Sequence, residues 1–581
     1  MANETPHPKK KIRLIWKIVI AFLIFLLIAA GAIFTAGYFY YGKLIKSSVT
    51  EFVKTKSKGM YTADIGYLYV NILNGNLTIK DLALIPDTAE YRKREVKDTL
   101  PPVLFQLKIK NFRIRNFRIM DAIRHRKIDI NGIHIENPEI TVLRMQQKTR
   151  QSSADKKSEK IMAIPLPKGL NSIAIGEILF IKGSFDFIDL SGDSVIRKSI
   201  PSCNISIKNI LVDSVHQGKR RLFNADDISI VLNGLSIMSK NKLNLISFGQ
   251  IGLSTSKNSV YIKDFHLIPQ YNRQDYMKKF GWQTDRLDIL VPMLRLSRLD
   301  LRQLIFEGKF QAGLLEVDSL AVDDYRDKRI PRKPGFKPPM PQDGLRKLKA
   351  YLKIDTIILK NGKATYSEQT GTEPGTIFFD KMNATLTGLT NDSALLQSGL
   401  VSMLKGTTYL MGKGKMNVEL KFRFGDKHNG FTFSGYVGPM DLREVNPMLT
   451  KLLPAEIISG NITQISIPLV VANDDESKGK MTFCYTGLKL KLNNKQETTW
   501  GSIKTGVIGW VANDFVVNDD NPTKSGKTKS GLISFNRDKE KGIINFVWKS
   551  VLSGLKSQMG FNSKEQKEMK KAEKKKAKAA K

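Results

Sequence analysis

At 581 residues the chain is long enough for several domains, and 93 Lys and Arg against 55 Asp and Glu give a formal charge of +38 and a pI near 9.9. Such an excess points to polyanionic neighbours, whether anionic lipid headgroups, lipopolysaccharide-like glycolipids or nucleic acid, and says little about fold. Only two cysteines, Cys203 and Cys484, are present, which excludes a disulfide scaffold and any CxxC site, and the six histidines from His7 to His428 lack metal-ligand spacing.

Lys9, Lys10, Lys11, Arg13 and Lys17 lead into an uncharged run at 18–42, longer than the ~20 apolar residues with which one helix crosses a bilayer core. Trp16 stands at one end and Tyr38, Tyr40 and Tyr41 at the other, where aromatic rings favour the headgroup level. The run predicts a membrane anchor with the short tail cytoplasmic and the bulk exported. The rival reading is a cleavable signal peptide with Ala30, Gly31 and Ala32 as its small-residue site; against it, the apolar run continues past that site.

From residue 61 to about 433 the commonest pattern is apolar alternation with period two, which places alternate side chains on one sheet face. It runs through Phe105, Leu107 and Ile109; Ile128 and Ile130; Ile173 and Ile175; Phe185 and Phe187; Ile205 and Ile207; and Val418, Leu420, Phe422 and Phe424. Asn131-Gly132, Asn233-Gly234 and Asn361-Gly362 carry hairpin-turn chemistry, which predicts strands of about five to eight residues joined as antiparallel meanders. Polar inserts at 146–160 and 323–343, the second basic and proline-rich, read as exposed loops.

Within this region the chain repeats itself. LTIKDLALIP at 77–86 returns as VYIKDFHLIP at 260–269, and LKIKNFRIRNF from Leu107 as LRLSRLDLRQL from Leu294. PLPKGL from Pro165 is answered by PMPQDGL from Pro339, IAIGEILFIKGSFDFID from Ile173 by LKIDTIILKNGKATYSE from Leu352, and SIKNILVDS from Ser206 by TLTGLTNDS from Thr385. An ordered series at a nearly constant offset is the mark of internal duplication, although shared strand-and-turn grammar can imitate single members of it.

A sheet with one apolar face must bury that face. The helical candidates, 87–96, 272–280, 394–404 and 441–453, are too few to roof so many strands. Two solutions remain: sheets packed on each other, or a long curled sheet whose apolar lining is completed by a ligand. Repetition along the chain favours the second. The alternating residues from Phe105 to Phe424 named above thereby become candidate contacts for acyl chains.

Beyond residue 431 the text changes to FTFSGYVGPMDLREVNPMLTKLLP, followed from Ser459 by SGNITQISIPLVVANDDESKGKMTFCYTGLKLKL. Further on come WVANDFVVNDDNP from Trp510, GLISFNRDKEKG from Gly531 and INFVWKSVLSGLK from Ile544. This stretch resembles the C-terminal region of AsmA-like proteins, and the anchor and strands such as INGIHIENPEITVLR at 130–144 are similar as well. The resemblance implies an inner-membrane protein whose periplasmic β-groove shields acyl chains, in the manner of bridge-like lipid-transfer proteins. Its motifs are structural and bring no catalytic residue or cofactor with them.

Ile544, Phe546, Val547, Trp548, Val551, Leu552, Leu555 and Met559 recur at helical spacing with Lys541, Lys549 and Lys556 between them. That pattern suits either a helix on an anionic membrane surface, with Trp548 as its anchor, or a cap on the groove. The Lys-rich tail at 564–581 has no apolar face.

Enzyme signatures are thin. KSGKT at 524–528 ends like a phosphate-binding loop, but its first glycine would fall at Asn521; Asp474, Asp475 and Glu476 read as a partnerless turn, and Asp186 and Asp189 only flank a strand end. Export and the scatter of basic residues argue against nucleic acid.

The expected architecture is mainly β: an N-terminal transmembrane helix, then a long antiparallel, curled β-sheet groove with internal duplication and a few covering helices. Its parts are a tail, anchor and juxtamembrane helix at 1–60, groove repeats at 61–245 and 246–430, an AsmA-like β region at 431–538, and a helix with basic tail at 539–581. The expected role is non-enzymatic binding or shielding of phospholipid-like molecules in the envelope, with membrane lipids and other envelope proteins as partners. The alternative is a scaffolding factor for outer-membrane protein biogenesis.

Overall fold

The computed structural model describes residues 50–94, 103–145, 169–192, 195–213, 224–453, 455–492, 520–560 and 567. The predicted anchor at 18–42, with Trp16, Tyr38, Tyr40 and Tyr41, lies outside the described residues, as does the insert at 146–160. Among the described residues no helix is long and apolar enough to cross a membrane. The fold is mainly β, with 21 strands in mixed pairing and few helices. The chain divides into two compact units, Met1–Leu235 with Phe248–Tyr261, and Ser236–Ser247 with Ile262–Lys581.

The first unit runs β1 (Tyr61–Asn71), β2 (Asn76–Pro86), α1 (Thr88–Arg94), β3 (Val103–Phe117), α2 (Ile119–His125), β4 (Lys127–Arg144), β5 (Ser172–Asp189) and β6 (Ile196–Asp213). The residues of β7 (Asp227–Met238), β8 (Asn244–Ser254) and β9 (Ser259–Pro269) are divided between the units. From β1 to β7 each strand pairs with the next, antiparallel everywhere except β4–β5, which is parallel.

The second unit continues with α3 (Arg273–Phe280), β10 (Asp285–Leu299), a π-helical turn (Gln303–Glu307), β11 (Phe310–Asp318), β12 (Ala321–Asp327), α4 (Pro341–Arg346), β13 (Leu352–Gln369) and β14 (Pro374–Thr390). Then come α5 (Ser393–Gln397), β15 (Ser402–Leu410), β16 (Gly414–Phe422), β17 (Phe431–Val437), β18 (Met440–Asp441), a 3-10 turn (Leu442–Val445), α6 (Asn446–Leu452), β19 (Ala455–Ala472), β20 (Glu476–Leu492), β21 (Gly531–Asn536) and α7 (Ile543–Gln558). β10 pairs antiparallel with both β11 and β12, and these two pair parallel with β13. The remaining ladder, β13 to β17 and then β19 to β21, is antiparallel.

The series β2–α1–β3–α2–β4–β5–β6 recurs as β9–α3–β10–turn–β11/β12–β13–β14. Backbone conformation recurs with it. Left-handed residues stand at Asp81 and Asp264, Asn116 and Arg298, Asn137 and Ser319, and Lys182 and Asn361, each pair about 180 residues apart. A left-handed residue inside a strand inserts a bulge, which bends and coils the sheet.

Four expectations need correction. The sheet is not wholly antiparallel, because a strand can return parallel only over a crossover, and the two polar inserts are where those crossovers fall, between β4 and β5 and between β12 and β13. The strands reach 18 residues, because Asn131-Gly132 lies inside β4, Asn233-Gly234 inside β7 and Asn361-Gly362 inside β13. Around Gly362 the β13–β14 register shifts, so the Asn-Gly pair builds a bulge instead of a hairpin. The helix expected at 394–404 stops at Gln397, beyond which left-handed Gly399 turns the chain into β15.

The second insert is an exposed loop only in its middle, where residues 328–339 are mostly exposed and carry no regular structure, while its two ends are built into the fold. Asp323 to Asp327 belong to β12, and Met340 and Gln342 are buried. Its path runs from the end of β12, where Lys328 N donates to Gln369 O, past Pro338, whose carbonyl accepts from Arg537, to α4, where Gln342 donates to the carbonyl of Asn429. This strap thus passes from the end of β13 to its beginning.

Candidate functional site

In the first unit the apolar side chains align into rows across the ladder. One row reads Leu77, Ile114, Ile133, Ile178, Ile207 and Ile228; its neighbour reads Ile79, Phe112, Ile135, Phe180, Ile205 and Ile230. A third reads Phe117, Ile130, Ile175 and Ile210. Nearly all are less than a tenth exposed and form one cluster, to which only Ala225, Ile119 and Leu170 come from outside the strands among the described residues. Each such side chain removed from water contributes ~1.5–3 kcal/mol.

Of the candidates in this unit, Leu107, Ile109, Ile130, Ile173, Ile175 and Ile207 are buried in the cluster, and Ile128 and Ile205 pack at its border. Phe105, Phe185 and Phe187 are half-buried and outside it; Phe105 and Phe187 flank Val142, while Phe185 continues the row from Leu107 through Ile140. The alternation pattern passed over Leu77, Ile79, Phe112, Ile114, Ile178 and Phe180. The signal was the parity break between Ile109 and Phe112, since on one face apolar residues follow odd numbers before a bulge and even numbers after it.

In the second unit Phe422 and Phe424 are buried, stacked with centroids 5.6 Å apart, and Phe422 also stacks on Phe431 at 5.8 Å. Leu420 packs against this cluster. Phe422 and Phe424, with Leu386, Leu389, Leu404, Leu345 and Leu348, line a hollow of about 360 Å³ beside α4, and no polar side chain lines it. That volume lies within the ~300–1,000 Å³ of small-ligand sites. Val418 instead borders a hollow of about 680 Å³ with a mixed wall, in which Lys405, Asn417 and Glu419 stand beside Ile358, Leu359 and Ile467.

Helix α7 closes part of the same cluster. Phe546 meets Phe431 edge-on at 6.0 Å, and Phe546, Ser550, Gly554, Ser557 and Gln558 are its buried residues. Ser477 and Ser550 share a hydrogen bond of 2.6 Å, and Gln558 Nε2 donates to Phe483 O at 2.6 Å. The docked side thus combines buried Phe546 and the flanking Val547, Val551 and Leu555, packed on the cluster, with small or polar Ser550, Gly554, Ser557 and Gln558, whereas Ile544 and Trp548 are 84% and 55% exposed. Sequence periodicity picked out Phe546, Val547, Val551, Leu555 and Met559, which do pack here, and missed Ser550, Gly554 and Ser557 because Ser and Gly carry no hydrophobic signal.

Charged groups collect where β12 and β13 end. Arg326 holds Asp285 through two bonds of 2.5 and 2.6 Å. Burial pushes the neighbouring Asp324 carboxyl up to about 7, with the charges of Asp285 and Asp323 adding to the effect and Arg326 opposing it. Its Oδ1 is buried without a hydrogen-bond partner. Glu368 accepts from Lys328 at 2.5 Å and from Tyr366 at 2.6 Å.

The residues weighed for catalysis are structurally engaged. Asp474, read from sequence as partnerless, accepts from Asn429 at 2.8 Å and Arg537 at 3.1 Å, while Asp475 pairs with Lys539 and Glu476 with Lys478. Asp186 accepts from Ser199. Burial pushes the Asp189 carboxyl up, but hydrogen bonds from Ser191 and the Arg144 guanidinium outweigh it and hold the group below the usual range. KSGKT lies in a tight turn in which Thr523 N donates to Lys527 O at 3.0 Å. Cys203 and Cys484 are free thiols. Among the described residues no group of His, Cys, Asp and Glu has metal-site geometry.

Compared with known proteins, the chain matches no family model and no curated sequence.

Proposed function

We propose that this protein is a non-enzymatic carrier or shield for phospholipid-like molecules, anchored in the inner membrane by residues 18–42 with its bulk in the periplasm. The carrying observation is the set of uninterrupted aliphatic and aromatic rows spanning as many as six strands of one sheet face. A face of this kind, coiled by its bulges, is a trough for acyl chains, each buried methylene contributing ~0.8 kcal/mol. The apolar hollow beside α4 supports the reading in the second unit. Resemblance to AsmA-like proteins and the net charge of +38, suited to anionic headgroups, support it further.

The test is native mass spectrometry with lipid extraction on the full chain purified in minimal detergent. Phospholipid should co-purify in defined stoichiometry and be lost in Phe422→Asp and in Leu348→Glu, the second at a 44% exposed wall position where folding is spared. A folded wild-type protein that carries no lipid would sink the proposal and move the scaffold reading into its place.

A further inference from the structure

One wall of the apolar hollow is α4 itself. Pro341, Gly344 and Leu345 line it, with Leu348 just beyond the helix, and the remaining wall comes from β14, β15 and the end of β16. Six residues are too few for a helix that is stable alone, so α4 is held in place by what it touches. The chain on both sides of it, at 333–339 and 347–350, is mostly exposed and irregular. The only buried apolar side chain of the helix is Leu345, with Met340 buried at the N-cap.

What seats α4 is mainly polar. Arg346 donates through Nη1 to the carbonyls of Phe424 at 2.8 Å and Asp426 at 2.7 Å, and through Nη2 to Asp343 at 2.7 Å and to the side chain of Asn429. Gln342 donates to Asn429 O at 2.9 Å. Asn429 in turn donates to Asp343 at 3.1 Å and to Asp474 at 2.8 Å, and Arg537 ties Asp474 to Pro338 O. Two groups of this latch stay unsatisfied: Gln342 Oε1 and Arg537 Nε are buried and have no hydrogen-bond partner among the described residues. Bonds of this kind exchange for bonds to water when the contact opens, and the two unsatisfied groups gain partners then. A polar seat of this sort therefore resists opening less than an apolar one.

We propose that α4 is a lid, displaced by release of its bonds to the 424–430 segment, and that its movement opens and closes the hollow. The wall it leaves behind, with Leu386, Leu404 and Phe422, belongs to strands fixed by the β14–β15–β16 ladder. A displaced α4 thus uncovers a preformed apolar surface. The identity of the occupant rests on the lipid-carrier reading: the hollow takes the end of one acyl chain. Its lining offers no polar side chain to a headgroup, and about 360 Å³ is at the lower end of small-ligand volumes, which suits a single chain end.

The experiment is hydrogen exchange read by mass spectrometry on the full chain in nonionic detergent, for wild type, Arg346→Met, Asn429→Gly and Leu404→Trp, each with and without dodecanoate. Asn429 is left-handed with φ of 54°, so glycine keeps its backbone while deleting its side-chain bonds. Amides of 342–348 should exchange faster than those of β16 in wild type, and about tenfold faster again in Arg346→Met and Asn429→Gly, the size of one charge-assisted hydrogen bond. Loosening of the whole unit would raise both rates alike, so the ratio of α4 to β16 exchange decides. A ratio unchanged in both latch variants overturns the lid, since α4 then opens only with its unit. Dodecanoate at ten times its Kd should slow exchange of 342–348 about tenfold in wild type, and leave it unchanged in Leu404→Trp, whose indole fills the hollow. Absence of that protection in wild type, with the ratio raised in the latch variants, counts against acyl chains as cargo, hence against the carrier reading alone, and leaves the lid standing.

Discussion

Asn137 and Lys182 stand level with each other in the parallel pair β4–β5, and both are left-handed, with φ of 48° and 54°. Ser319 and Asn361 repeat the arrangement beside β13, with φ of 56° and 51°. Two adjacent strands with left-handed residues at the same height are bent and twisted together there. Outside glycine this conformation costs on the order of 1 kcal/mol per residue, least for Asn. Lys182→Gly should therefore stabilise the protein by about 0.5–1 kcal/mol, and Lys182→Val should destabilise it by more than that, read as opposite shifts in the urea midpoint. A destabilised Lys182→Gly would show that the side chain, not the backbone, matters there.

The sheet was legible in the sequence because period-two alternation is a direct image of a pleated strand, and most of the alternating residues do share a face: Leu107, Ile130, Ile175 and Ile207 meet in one cluster. Strand length was not legible. Asn361-Gly362 supplies a left-handed backbone equally to a hairpin and to a bulge, and only the partner strand decides between them. Parallel pairing was hidden for a related reason, since the inserts are polar whether they project into solvent or cross between strands. Polar sites fared worst. Asp324 and Glu368 are ordinary letters until the pairing of β12 with β13 brings them to one place.

Docking of α7 depends on close backbone approach. A Cβ built at Gly531 would stand 1.9 Å from the carbonyl oxygen of Gly554, an overlap that can be relieved only by moving the helix off β21. Gly531→Ala should cost several kcal/mol, comparable to core overpacking or worse, and raise hydrogen exchange across α7 while leaving exchange in the first unit unchanged. Normal protection of α7 in that variant would contradict the docked geometry.

The Asp227 carboxyl gathers hydrogen bonds from Ser229 at 2.6 Å and from Ser254 and the Ser256 amide at 3.0 Å. Burial pushes this group up, but the hydrogen bonds outweigh it and bring the pKa down to about 2. A depressed folded-state pKa stabilises above the unfolded value of about 3.9, and the contribution disappears as pH falls towards 2. After allowance for solvent screening this amounts to about 1 kcal/mol. The wild-type melting temperature should fall between pH 4 and pH 2 more steeply than that of Asp227→Asn, and parallel curves would rule the contribution out.

Asp324 carries the opposite sign. Its folded-state pKa, raised to about 7 chiefly by burial and by the charge of Asp285, lies above the unfolded value, so the native protein binds a proton that the unfolded chain releases. Stability from this group is fully present below about pH 4 and is lost as pH rises through about 7. Asp324→Asn keeps the shape of the protonated acid and removes the titration, while Arg326 keeps its two bonds to Asp285. The variant should match wild type near pH 4 and exceed it above pH 7 by about 1–3 kcal/mol, after solvent screening is allowed for. Chemical denaturation at pH 4, 6 and 8 measures the difference directly. A gap that does not widen with pH would mean that Asp324 is ionised in the native state, with a counter-charge for its buried Oδ1 inside the protein.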